Sequence, residues 1–200
     1  MLEYNLIMKV ILFNGSPRKN GNTFHALQIL IEELKMNNVE CEYFWIGNEN
    51  IRGCRACYKC AKNKDKKCSI TIDKINFYLE KISKADGIVI GSPTYFANVS
   101  APIKAFIDRV GLVSKVNGNI LYRKIGAAVV AVRRQGATHV FSSINFFFLI
   151  NQMYVVGSSY WNLGIGQDPG DVKNDKEGVI TFKNLGKNMA YILHKLREKM

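Results

Sequence analysis

Two kinds of apolar pattern alternate along this chain. Short runs with no polar interruption occur at Val10–Phe13, Gly87–Gly91 and Ile125–Val132, and they read as strands buried on both faces. A fourth run, Val39–Ile46, alternates at first and then turns apolar, which suits another strand, and Met153–Val156 supplies a fifth. Between them the period changes to that of a helix. Leu27, Leu30, Ile31 and Leu34 predict an amphipathic helix over 23–36, and Ile75, Leu79 and Ile82 one over 74–84. A helix after Ser100 follows from a capping residue, Pro102 in its first turn, and Ile103, Phe106, Ile107 and Val110 on one face. Residues 138–151, with the Phe-rich run Ile144–Ile150, read as a helix buried on the sheet, and Phe182 to Leu196 as a last helix. Gly157–Gly178 has little regular pattern and reads as a wall or lid.

Strands alternating with helices predict a parallel sheet covered on both faces. Five strands favour a doubly wound, flavodoxin-like α/β fold in the order 2-1-3-4-5, with a Cys-rich insertion (53–68) after strand 2. With no repeat and no linker, residues 1–200 read as one domain preceded by a short tail at 1–7. In this order the loops after strands 1 and 3 flank the topological switch point, and the loop after strand 4, Arg133–Gly136, borders the same crevice.

The first of those loops carries the most chemistry. Asn14-Gly15-Ser16-Pro17-Arg18-Lys19-Asn20-Gly21-Asn22-Thr23 joins a buried strand to a helix start, where free N–H groups and the helix dipole favour an anion. Ser16, Asn22 and Thr23 add short hydrogen-bonding side chains, and Arg18 a forked cation. It is not a Walker loop: Gly15 and Gly21 are one residue too far apart, and Asn22 stands where the Lys would be. No G-x-G-x-x-G follows the strand either. What remains suits one terminal phosphate, as on FMN; the alternative is a solvated turn.

Composition adds a size and a charge. Two hundred residues, 48% of them hydrophobic, suffice for one core, and 28 Lys and Arg against 16 Asp and Glu give a formal charge of +12. The excess concentrates at Arg52, Arg55, Lys59, Lys62, Lys64, Lys66 and Lys67, and again along the last helix, including Lys199, where it reads as a solvated face. No nucleic-acid motif accompanies it, so nucleic acid is not an expected partner. No secretory signal and no apolar run near ~18 residues is present, so the expected location is the cytoplasm, away from the membrane. Five cysteines in that setting point to metal or redox use. Four follow Cys54-x2-Cys57-x2-Cys60-x7-Cys68, a spacing whose tight triplet suits a single iron–sulfur cluster closed by the fourth thiol. Zinc, reactive thiols and a disulfide are the alternatives. Cys41 reads as a small buried hydrophobe, and His25, His139 and His194 form no ligand spacing.

Taken in order, Gly15-Ser16-Pro17-Arg18-x-x-Gly21-Asn22-Thr23, Gly53-Cys54-x-x-Cys57-x-x-Cys60, Gly91-Ser92-Pro93-x-Tyr95-Phe96 and Lys104-Ala105-Phe106-Ile107-Asp108-Arg109 resemble the NADPH-dependent FMN reductase family, in particular its iron–sulfur flavoprotein branch. The resemblance implies one FMN, with its phosphate at Ser16, Arg18, Asn20, Gly21, Asn22 and Thr23 and its ring against Pro93, Thr94, Tyr95 and Phe96, near Asn98 and Gly136. Tyr95 and Arg134 are placed to touch flavin or substrate, and no residue stands out as a catalytic acid or base. It also implies a [4Fe–4S] cluster on Cys54, Cys57, Cys60 and Cys68, although the seven-residue spacer before Cys68 exceeds the commoner form. A homodimer or homotetramer is implied, with electrons from a ferredoxin-like donor or NAD(P)H passing to oxygen, peroxide, flavin or quinone. An electron carrier without a reaction of its own and a redox-sensing nucleic-acid-binding regulator are the competing functions.

Overall fold

A computed structural model describes residues 7–197; the expected tail lies outside this range apart from Ile7, as does Lys199. The sheet is built from β1 (Met8–Asn14), β2 (Val39–Trp45), β3 (Gly87–Pro93), β4 (Ile125–Val132) and β5 (Tyr154–Val155), all parallel, in the order 2-1-3-4-5. The expected flavodoxin-like order is the observed one. Alternation along each strand divides the core into two layers. Val10 and Leu12 of β1, with Val89, Ala127 and Val129, pack under α1 (Asn22–Met36) and α6 (Lys176–Arg197). Ile11 and Phe13, with Ile88, Ile90, Ala128 and Val130, pack under α3 (Ile75–Ser83), α4 (Ala101–Val116) and α5 (Ala137–Ile150). Among the described residues, no helix is long and apolar enough to cross a membrane.

Three expectations change. The fifth strand position is shared: β5 pairs with the start of β4, and β6 (Leu163–Ile165) pairs with its end. The segment 157–178, expected to be irregular, therefore contains a sheet strand, a 3-10 turn (Asp171–Asn174) and the start of α6. The cysteine segment likewise contains a one-turn helix, α2 (Lys59–Asn63), which buries Cys60 against the α3–α4 layer. Finally, the Phe-rich run is only half in the core. Ile144, Phe147 and Phe148 are buried, while Phe146 is 68% and Ile150 64% exposed. One face of a helix on one side of a sheet can bury only every third or fourth residue.

That orientation predicts a sharp contrast between neighbours. Phe148→Ala should lower the unfolding free energy by about 3–5 kcal/mol, and Phe146→Ala should stay within about 0.5 kcal/mol of the parent. Denaturant titration reads both; equal losses would mean that α5 faces another way.

Candidate functional site

The loop after β1 is fixed from beneath by the strand's last residue. Asn14 is fully buried. Its side-chain carbonyl accepts from Ser16 N at 2.9 Å, and its amide donates to the Tyr43 hydroxyl at 2.9 Å. Its backbone carbonyl accepts from both Ile46 N and Gly47 N. The Trp45 indole donates to Ser16 O at 2.7 Å. Gly47 must be a glycine: a Cβ there would stand 1.9 Å from the Ser16 carbonyl oxygen, a backbone atom that cannot move aside. From the other side, Gly15 N donates to Gly91 O, and the Ser100 hydroxyl donates to Gly15 O at 2.7 Å. Ser100 thus occupies the N-cap position of α4, but its hydroxyl ties the helix to the first loop instead of capping it.

Above this base opens a cleft of about 400 Å³. Ser16, Arg18, Gly21, Asn22 and Thr23 form one wall, and Pro93, Thr94 and Tyr95 the facing one. Ala131, Val132 and Arg133 close it from the end of β4, and Gly166 and Gln167 form a further wall. The helix start is open, since Gly21 at the N-cap provides no side-chain acceptor. Ser16 Oγ accepts from Arg18 N at 3.2 Å and so shapes the turn. Two side-chain hydroxyls on these walls, Thr23 Oγ1 and Thr94 Oγ1, are buried with no hydrogen-bond partner. Such orphans are costly unless a ligand satisfies them.

Other expected residues lie elsewhere. Asn20, Phe96, Asn98, Arg134 and Gly136 do not line this cleft. Asn20 is exposed on the loop's outer side, where its carbonyl pairs with His25, and burial of that histidine lowers its pKa. Phe96 and Ala97 are the central residues of a two-residue turn closed by the Tyr95–Asn98 backbone pair, with φ of 48° and 57°. Left-handed backbone at two non-glycine residues costs on the order of 1–3 kcal/mol each, and the turn leaves the Phe96 ring fully exposed. Gly136 packs against Ala97 with φ +87°, where a Cβ would come within 2.8 Å of the Ala97 methyl. Arg134 is exposed on an adjoining open shelf, which Arg133 also borders. Asn22 has a role that its sequence context did not suggest. Its side-chain carbonyl accepts from Gly170 N at 2.9 Å and Val172 N at 3.2 Å, which brings the Gly166–Gln167 wall to the cleft. Arg18 donates to Gln167 O at 3.4 Å from the same side. His139 and His194 line neither this cleft nor the cysteine recess; His194 Nε2 meets Asn37 O at 3.0 Å.

The second site is the cysteine segment. Cys54, Cys57, Cys60 and Cys68 all line one small recess of about 20 Å³, together with Arg109, Leu112 and Val113 of α4. Cys54 and Cys57 are exposed on an arm without regular structure, Cys60 is buried, and Cys68 is half-buried. Among the described residues, no three His, Cys, Asp or Glu side chains are grouped to hold one metal ion. A single zinc needs four sulfurs that reach one centre at about 2.3 Å. A cluster, with iron at several corners, takes thiolates set further apart around it. The arm also holds Ala56 and Tyr58 at φ 49° and 52°, left-handed backbone in a stretch with little packing. Arg109, to which the sequence assigns no role, touches Cys68, with Nε 3.3 Å from Sγ.

The switch-point cleft and parallel sheet define a flavodoxin-like α/β protein in which the loop after β1 opens a helix start onto the crevice. The chain belongs to the NADPH-dependent FMN reductase family, whose profile matches residues 8–168, a family of flavin-dependent oxidoreductases. It is 36% identical over 198 residues to the iron-sulfur flavoprotein MJ1083 of Methanocaldococcus jannaschii, a match covering 96% of this chain and 100% of that one. To the iron-sulfur flavoprotein of Methanosarcina thermophila it is 31% identical over 193 residues, covering 96% and 98%. RosB, solved with bound 8-demethyl-8-formylriboflavin-5'-phosphate, shares the fold at a TM-score of 0.76 and 20% identity, over 96% of this chain and 81% of that chain.

The thiols differ in reactivity. A hydrogen bond with Ser69, 3.2 Å away, lowers the Cys57 pKa, and the sulfur is exposed. Burial raises the Cys41 thiol to about 11. Since the thiolate is the nucleophile, iodoacetamide at pH 7.5 should alkylate Cys57 of metal-free protein well before Cys41. Peptide mass spectrometry over time checks the order; Cys41 reacting first would contradict it.

Proposed function

We propose that this chain is an FMN-dependent oxidoreductase that relays electrons from a one-electron donor, through a [4Fe–4S] cluster on Cys54, Cys57, Cys60 and Cys68, to FMN in the switch-point cleft. The observation that carries the reading is the presence of two such sites in one fold. The cleft has an open helix start and two orphaned threonine hydroxyls, and all four motif cysteines share one recess. Relatives named iron-sulfur flavoproteins align over nearly the whole chain, which supports the same pairing here.

FMN supplies two-electron and one-electron chemistry, and a cluster supplies one electron at a time, so together they couple unlike donors and acceptors. The chain's own part is to hold and separate them. The first turn of α1 and Thr23 Oγ1 present donors to a phosphate, with Arg18 at the rim. Pro93 and Tyr95 offer flat apolar surface to a ring, and Thr94 Oγ1 offers a donor to its polar edge. Ser100, bonded to the phosphate-side loop, and Arg109, bonded to Cys68, are nine residues apart on the same helix, about 13 Å of rise. The exposed Arg55, Lys59, Lys62 and Lys67 surround the cysteine arm and favour an acidic, ferredoxin-like donor on that side. The tight Cys54–Cys57–Cys60 triplet and the relatives named iron-sulfur flavoproteins favour the cluster over zinc.

Two variants test the assignment. Thr23→Val should weaken FMN binding about 10- to 100-fold, the effect of losing one hydrogen bond to a charged group, and leave iron content unchanged. Cys57→Ser should do the reverse, removing iron and acid-labile sulfide while FMN stays bound. Flavin fluorescence titration and iron analysis on anaerobic protein read both; loss of both cofactors in either variant would contradict separable sites.

A further inference from the structure

The side chain of Arg109 is 0% exposed, and every branch of its guanidinium is engaged by the cysteine segment or the residues beside it. Nη1 donates to Arg52 O at 3.1 Å and to the Asp73 carboxylate, and Nη2 donates to Ile70 O at 3.0 Å. Residues 52 and 70 flank the cysteine loop, so one side chain closes both of its ends onto α4. With the plane fixed by those contacts, Nε–H has one direction left, and it points at Cys68 Sγ, 3.3 Å away. Cys68 is also the most firmly held of the four. Its N–H donates to Asn76 Oδ1 at 2.7 Å, its carbonyl accepts from Asn76 Nδ2 at 2.9 Å, and its sulfur accepts from Ile70 N at 3.5 Å. Burial opposes the Arg109 charge, but the Asp73 and Cys68 contacts outweigh it and keep the guanidinium protonated.

We propose that Arg109 is a redox-positioning residue: its Nε–H bond to the Cys68 sulfur raises the reduction potential of the group the cysteines hold, while Asp73 fixes the guanidinium and offsets part of its charge. The inference rests on the cluster reading above. A cationic donor stabilises a ligand sulfur more as electron density on it grows, so it favours the state with one more electron. The step is a one-electron transfer from the proposed donor; no bond forms or breaks and no proton is required. The surface lysines act through water and are screened by salt. The buried Arg109 is screened far less, so its effect should persist at high ionic strength.

Redox titration of the anaerobic holoprotein, followed by electron paramagnetic resonance for the cluster and absorbance for the flavin, tests this. Arg109→Gln should disfavour cluster reduction at least tenfold, about 59 mV for one electron, with the flavin potential unmoved. Arg109→Lys keeps the charge without the fixed donor and should fall between. Asp73→Asn should shift the potential upward. Because Arg109→Gln also loosens the loop, wild-type protein labelled with 15N-arginine gives an independent reading: the reduced cluster should show coupling to one arginine nitrogen. An iron-replete Arg109→Gln variant at the parent potential, or no 15N coupling in the wild type, would overturn the inference. A wild-type preparation without iron and sulfide would instead contradict the cluster reading, and this inference with it.

Discussion

The tip of β1 is the point on which the rest of the structure depends. A central parallel strand must end somewhere, and its last peptide groups need partners once the ladder stops. Asn14 supplies them from a fully buried position: its side chain holds Ser16 N and Tyr43, and its carbonyl holds Ile46 N and Gly47 N. Gly15 N reaches Gly91 O, and Gly15 O is held by Ser100. The loops after β1, β2 and β3 and the start of α4 are thereby locked around one strand end. The N–H groups of the first turn of α1 are left facing the cleft as a consequence.

Helix α4 carries that order to the second site. Ser100 at its N-cap is tied to the loop after β1, and just under one turn beyond the core residue Phe106 comes the buried Arg109, gathered to Asp73 and to the residues that flank the cysteine segment. A buried ion pair contributes little net stability against a hydrophobic replacement, but removing one partner is costly because the other charge is stranded. Here the pair holds the Arg109 guanidinium with its Nε–H aimed at Cys68 Sγ. The exposed arm 53–59 sits above this rigid base, with Ala56 and Tyr58 in left-handed backbone.

Much of this was legible in the sequence because it depends on local period and composition. The three long apolar runs became β1, β3 and β4, and the strand order followed from their alternation with helices. What escaped depends on contacts between distant residues. The strand Leu163–Ile165 is only three residues long and exists because the end of β4 has an open edge beside it. Asn22 lines the cleft as expected, but its side-chain carbonyl also holds residues 170 and 172, nearly 150 positions away. At the end of β4, Arg133 and not Arg134 lines the cleft, a difference of one residue that periodicity cannot resolve where a strand becomes a loop. Arg109 was visible as part of a family-like motif, but its partners lie 36 to 57 residues earlier in the chain, and nothing in the helical pattern marks a buried arginine.

In the function proposed here the loop after β1 recognises a phosphate, with the ring held by the loop after β3. Titration of flavin-free protein with FMN and with riboflavin, which differ only in that phosphate, tests it most directly. FMN should bind at least 100-fold more tightly, about 2.7 kcal/mol, with the difference shrinking as inorganic phosphate is added. Equal affinity for the two flavins would contradict it.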